Sequence, residues 1–351
     1  VKLFDTHAIP AHRFPRGGSI GRARQYVYSA FAITLLFCFS ACDAPPRRSP
    51  ERAPSQRAGV HKAAVVGPTV EHMVWPIIRK HIAKLEAADD NTRFVLYELA
   101  TDTPLALRQT LSDIDQSDCA AVMIYSPWVV NCVDEIDRLT ISGKRVTLVG
   151  TDEPRSRRAV YCGPSNSELG RAAADVCIEM IAESRQTVML MHGKPSFPPS
   201  AARLTGFKDQ LERAGALEIF KELNCKDDPI EAQRMLRRQS RLYPRVGAFV
   251  MLDDWAFRNF EVDERLTPAE AIAVVCGDSV QLRALLRRHE IDCIISYNVS
   301  KSVEAGLRVV SRLASDTADE ILTEVITPPI LVKMNDVDAH EARWKAWGTS
   351  D

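Results

Sequence analysis

The chain has 351 residues, 46% of them apolar and 26% charged, with a formal net charge of −1. This is an ordinary globular balance, which excludes a disordered tail, a collagen-like repeat, a disulfide-stapled miniature scaffold and a polytopic membrane protein, and the length predicts two compact lobes. Residues 1–59 carry nine basic side chains against three acidic ones, which leaves residues 60–351 at −7. An acidic body lacks the basic face that phosphate neutralisation needs, so nucleic acid is not an expected partner.

In chain order, Arg22 and Arg24 precede the apolar residues 26–41 (YVYSAFAITLLFCFSA), which end in small residues and Cys42. A positive region, an apolar region and a small-residue end predict a secretory signal peptide over residues 1–42. The apolar run is also shorter than the 18 or more residues expected of a spanning helix. Phe39-Ser40-Ala41-Cys42 resembles a bacterial lipoprotein lipobox, with Phe39 where Leu is usual. The resemblance implies acylation of Cys42; an uncleaved N-terminal anchor is the other reading, and either tethers the protein outside the cytoplasm. The first methionine is Met73, so Val1 is expected to represent an alternative start codon. Residues 43–59 (DAPPRRSPERAPSQRAG) hold four prolines and no large apolar side chain, the composition of a semi-extended linker.

From residue 60 onward, short apolar runs alternate with amphipathic stretches. Strands are predicted at 63–67, 94–99, 120–125, 145–150, 159–163, 187–192, 247–252, 271–276 and 293–296, mostly as continuous apolar runs suited to burial on both faces. Helices are predicted between them, for example at 71–85, 167–182, 201–214, 230–241 and 303–313. Repeated β-α units predict a doubly wound α/β fold. Ligands in such folds bind beyond the carboxyl ends of the strands. Here those segments are rich in aromatics and carboxylates, as at Tyr125–Trp128, Asp253–Trp255 and Gly277–Ser279. Ring faces with Asp, Asn or Arg suit a polyhydroxylated molecule.

Beyond Cys38 and Cys42, seven cysteines (Cys119, Cys132, Cys162, Cys177, Cys225, Cys276, Cys293) show no metal or redox spacing, and several lie in apolar runs as core residues would. There is no nucleophile elbow, no phosphate-binding loop and no zinc-protease motif; His289-Glu290 continues as Ile-Asp-Cys. His192, at a strand end, reads as a satisfied histidine. No enzyme, metal or cofactor is expected.

Seven stretches together carry a family resemblance: Val65-Val66-Gly67 with Val74-Trp75; Ala121-Val122-Met123-Ile124-Tyr125-Ser126-Pro127; Val146-Thr147-Leu148-Val149-Gly150-Thr151-Asp152; Val160-Tyr161-Cys162-Gly163-Pro164-Ser165-Asn166; Ser200-Ala201-Ala202-Arg203-Leu204-Thr205-Gly206-Phe207; Ala248-Phe249-Val250-Met251-Leu252-Asp253-Asp254; and Val274-Val275-Cys276-Gly277-Asp278. Over residues 61–335 the chain resembles the type I periplasmic binding proteins of the ribose-binding kind, without the DNA-reading helices of the related repressors. The resemblance implies two doubly wound parallel-sheet lobes, 60–164 with 299–325 and 165–298 with 326–340, joined by a three-strand hinge. It also implies ligand roles for Trp75, Tyr125, Asp152, Arg203, Asp253, Asp278 and Tyr297.

Each of these has a structural reading as well: Trp75 as the cap of a helix, Arg203 as the partner of a nearby acid, Asp253 or Asp254 as a helix N-cap. Gly150 stands where sugar binders commonly have Asp, with Asp152 two residues on, and Tyr125 stands where Asn is common. The implied function is a monomeric, lipid-anchored extracytoplasmic protein that closes on a small polar ligand, expected to be a sugar, and delivers it to an ABC importer. The alternatives are a sensor docking on a membrane signalling receptor and a degenerate binder with an altered ligand.

Overall fold

Strand β1 (His61–Gly67) sends alternate side chains into two separate apolar layers: Ala63 and Val65 into one, Ala64 and Val66 into the other. Strand β3 (Ala121–Ile124) does the same, with Ala121 and Met123 on one side and Val122 and Ile124 on the other. That is why these strands read as unbroken apolar runs: both faces of the sheet are covered. The computed structural model describes residues 60–88, 91–258, 265–317 and 322–348. The expected signal peptide, Cys42 and the linker lie outside the described residues.

The first sheet adds β2 (Thr92–Glu98), β4 (Arg145–Val149), β5 (Val160–Pro164) and β11 (Glu324–Thr327) in the order β11-β5-β4-β3-β1-β2, all parallel. Helices α1 (Val74–Ala88) and α8 (Val299–Ala314) cover one face. Helices α2 (Pro104–Asp115) and α3 (Val133–Ile141) cover the other. The second sheet comprises β6 (Thr187–His192), β7 (Glu218–Asn224), β8 (Ala248–Met251), β9 (Ile272–Cys276), β10 (Cys293–Tyr297) and β12 (Pro329–Val332), ordered β12-β10-β9-β8-β6-β7. Only β12 runs antiparallel to its neighbour among these described strands. Helices α4 (Asn166–Met180) and α5 (Pro198–Ala214) cover one face, α6 (Pro229–Leu242) and α7 (Val280–Arg287) the other. The chain leaves the first sheet through Ser165, returns through Asn298 and crosses again at Pro328.

Helix starts follow local chemistry. Ser165, Asp228, Ser279 and Asn298 each accept a backbone N–H of the first turn, and Pro104 and Pro229 occupy first positions that lack an intrahelical acceptor anyway. The nine strands expected from the sequence are present, shifted at their ends by no more than a few residues. The sequence pattern does not reveal β7, β11 and β12, three of the four edge strands; the fourth, β2, is among those expected. Strand β7 (EIFKELN) mixes three charged residues with a single buried side chain, Leu223, and the other two have four residues each. The seven described cysteines are all free and buried, with burial pushing the Cys132 and Cys225 thiols up to about 11. Among the described residues, no helix is long and apolar enough to cross a membrane.

Helices α4 and α5 meet backbone to backbone. A Cβ on Gly170 would lie 2.0 Å from the Arg203 carbonyl oxygen, and one on Gly206 would lie 2.0 Å from that of Ser167. This contact fixes where the first turns of α5 project. Gly170→Ala is therefore expected to cost about 1–3 kcal/mol, as overpacking does, read as a lower urea midpoint. An unchanged midpoint would mean that the two helices do not approach this closely.

Candidate functional site

The first-sheet side of the site begins at Tyr125, directly after β3. Ser126 accepts the Trp128 N–H at 3.2 Å and starts a short 3₁₀ turn, Pro127–Asn131, which carries the chain away and leaves the tyrosine at the strand end. Its ring covers Gly150, where a Cβ would stand 3.2 Å from the ring and where φ is +79°. Ring contact and backbone angle together explain a glycine at this position. His72 lies 6.2 Å from the same ring and accepts the Val74 N–H; burial lowers its pKa and favours the neutral form.

Across from it, the Tyr297 phenol at the end of β10 lies close enough to that of Tyr125 for each to influence the other. The carboxyl ends of β3 and β10 thus lie near each other here. Burial pushes both phenols up, Tyr125 well above its ordinary value, so both stay protonated and able to donate.

Arg203, on α5, is built into the second side. Its Nη1 donates to the Leu252 carbonyl and to Asp253 Oδ1, each at 2.6 Å, and its Nε donates to Asn166 Oδ1 at 3.0 Å. Nη2 makes no hydrogen bond among the described residues. Asp253 uses its other oxygen to accept from Gly193 N and Ser200 Oγ. Burial would weaken the guanidinium charge, but the neighbouring carboxylates, Asp253 foremost, outweigh it and raise the Arg203 pKa. Asp254 holds the N-cap position of the turn Trp255–Phe257 without a side-chain cap bond; it pairs instead with Arg258, whose guanidinium lies 4.0 Å from the Trp255 ring centre.

The remaining expected positions are occupied in other ways. Trp75 is 2% exposed; its indole N–H donates to the Pro68 and Thr69 carbonyls, and its ring fills the space a Cβ on Gly67 would take. Asp152 forms a two-point pair with Arg158, which also reaches Thr323 O and Glu324 beside β11. Asp278, just past β9, accepts from Arg283 on one oxygen and from Ser296, His340 and Trp344 on the other. Thus Tyr125 and Tyr297 lie near each other with Arg203 within electrostatic range of Tyr297, whereas Trp75, Asp152, Asp253 and Asp278 are engaged by protein groups. The sequence reading gave no role to His72, Asn166, His340 or Trp344. Only the i, i+4 spacing of the last two, which places them on one helix face, could have pointed to them. His192 is buried and bonded to Gly193 O and Glu222.

Burial alone would raise the Asp278 carboxyl; bonds from His340 and Ser296 and the charge of Arg283 outweigh it and hold it below the usual carboxylate range. A group lowered in the folded state stabilises above its unfolded pKa, about 3.9 for Asp, and loses that contribution as pH falls through the folded value. Urea unfolding of wild type and Asp278→Asn should therefore differ most at neutral pH, with the gap narrowing below about pH 4. A gap constant from pH 7 to 3 would remove Asp278 from the acid response.

The family model described as "Periplasmic binding protein domain" matches residues 63–318. Solved structures of similar fold include the periplasmic ribose ABC transporter protein of Conexibacter woesei DSM 14684, with TM-score 0.68, 15% identity, and coverage of 83% of this chain and 98% of that one. A solute-binding protein of Burkholderia graminis C4D1M in complex with D-arabinose gives 0.65 and 15%, covering 80% and 98%. One of Bacillus halodurans C-125 with bound myo-inositol gives 0.64 and 13%, covering 82% and 99%. No curated protein matches the sequence. At these identities the structural likeness is one of fold.

Proposed function

The chain belongs to the periplasmic binding protein domain family, and from that premise we propose that it is an extracytoplasmic solute-binding protein that closes two lobes on a neutral sugar or polyol and delivers it to an ABC importer. Membership makes it a binding protein and not an enzyme. The observation that carries the ligand reading is the guanidinium of Arg203, held by Asn166, Leu252 and Asp253 within electrostatic range of Tyr297, with Nη2 still to donate. A planar donor and two protonated phenols match the mixed donors and acceptors of vicinal hydroxyls.

Charge supports a neutral ligand. Asp152, Asp253, Asp254 and Asp278 are each paired with an arginine, so the strand ends hold no spare carboxylate for an amine and no spare arginine for an anion among these pairs. The solved neighbours with D-arabinose and myo-inositol bind uncharged polyhydroxylated molecules. Lobe movement is assigned to the three crossings at Ser165, Asn298 and Pro328, and membrane tethering to acylation of Cys42.

The test is a thermal-shift screen of the purified protein against pentoses, hexoses, inositols, amino sugars, amino acids and nucleosides. A sugar or inositol at 100 times its dissociation constant should add about 2.7 kcal/mol of apparent stability. Arg203→Lys keeps the charge but loses the fork, and Tyr125→Phe loses one hydroxyl; each should weaken the hit about tenfold or more, the worth of roughly 1.4 kcal/mol. Stabilisation by amino acids alone would overturn the sugar reading.

A further inference from the structure

We propose that the C-terminal helix α9 (Val337–Trp347) is an interlobe strap, bolted to the second lobe at one end and seated on α1 of the first lobe at the other. Its docking then holds the ligand-free protein toward the closed arrangement. The inference rests on the reading that the two lobes move, but not on the identity of the ligand.

The first half of the helix belongs to the second lobe. Val337 lies in that lobe's core, Asp338 and Glu341 both pair with Arg287 of α7, and His340, fully buried, bonds Asp278 beyond β9. The second half belongs to the first lobe. Trp347 packs on the cluster formed by β1, α1 and α8 and meets Trp344 edge to face at 5.0 Å. Lys80 of α1 donates to the Ala346 carbonyl, and Gly348, at φ +108°, ends the helix where a Cβ would be 3.5 Å from the Pro76 carbonyl. Trp344 joins the two halves: its indole N–H donates to Asp278 at 3.0 Å while its ring enters the first lobe's core.

A helix of eleven residues does not stretch, and packed contacts hold or release as a unit rather than deform. Hinge opening must therefore detach one end. Detaching the second-lobe end would strip two donors from a buried carboxylate and break the Arg287 pairs, whereas releasing the first-lobe end gives up only apolar contacts, those of the Trp344 ring and the half-buried Trp347 indole, and one exposed lysine bond, and leaves no buried charge without its partners. The end on α1 is the one that lets go. The strap reduces the fraction of time the site must spend closing and so raises apparent affinity, because a binding-competent state that is already populated carries less penalty.

The test uses the full chain without ligand, so a failed sugar screen leaves it intact. Trp347→Ala and, as the variant that leaves the core untouched, Lys80→Met are compared with wild type by small-angle scattering and amide hydrogen exchange. Release of the strap should enlarge the radius of gyration of both variants. Exchange at residues 125–129 and 252–255 should rise about tenfold in Trp347→Ala, equivalent to ~1.4 kcal/mol, with circular dichroism unchanged. Scattering and exchange identical to wild type in Lys80→Met and in folded Trp347→Ala would overturn the proposal. If Trp347→Ala does not fold, Lys80→Met decides between the two outcomes.

Discussion

The carboxylate of Asp278 accepts hydrogen bonds from four side chains drawn from three elements: Arg283 on α7, Ser296 on β10, and His340 and Trp344 on α9. A buried charge is tolerable only when its lone pairs are taken up this completely. Its satisfaction fixes the relative placement of the last strand before Tyr297, the helix after β9 and the end of the chain. Tyr297 follows Ser296 directly, so Asp278 also sets where the Tyr297 phenol stands beside Tyr125.

Arg203 is held by the same logic on the other side of the second sheet. The glycine contact between α4 and α5 sets its backbone, and Asn166, Leu252 and Asp253 set its fork. A side chain with many rotamers is thereby ordered before any ligand arrives, which removes an entropic cost of binding. The pairing of Arg203 with an acid is the structural reading of this residue, and it leaves Nη2 as the donor that the proposed function assigns to a hydroxyl.

Much of this was legible in the sequence, for a physical reason. Central strands such as Val146–Val149 and Ala273–Cys276 are covered on both faces, so their burial is written as continuous apolar residues. Three of the four edge strands are not: β7 exposes Glu218, Phe220 and Glu222, and β11 and β12 are too short for a period to show. Strand-end positions were legible as residue types, but their partners were not. Asp278 meets His340 across 62 residues and Trp344 across 66, and Asp152 meets an arginine six residues on that also reaches β11. A local pattern can mark an aspartate at a strand end; it carries no information on whether a distant helix has already claimed its oxygens.

That difference bears on how the site and the hinge are connected. If the strand-end carboxylates were all free, binding and closure would be coupled through the ligand alone. With Asp278 committed to α9, and α9 seated on α1, part of the closing free energy resides in contacts that the protein makes with itself. A ligand then needs to supply only the remaining difference between open and closed states. In the proposed binding protein, specificity rests on the two phenols and the outer nitrogen of Arg203, and affinity is shared between them and the helix α9.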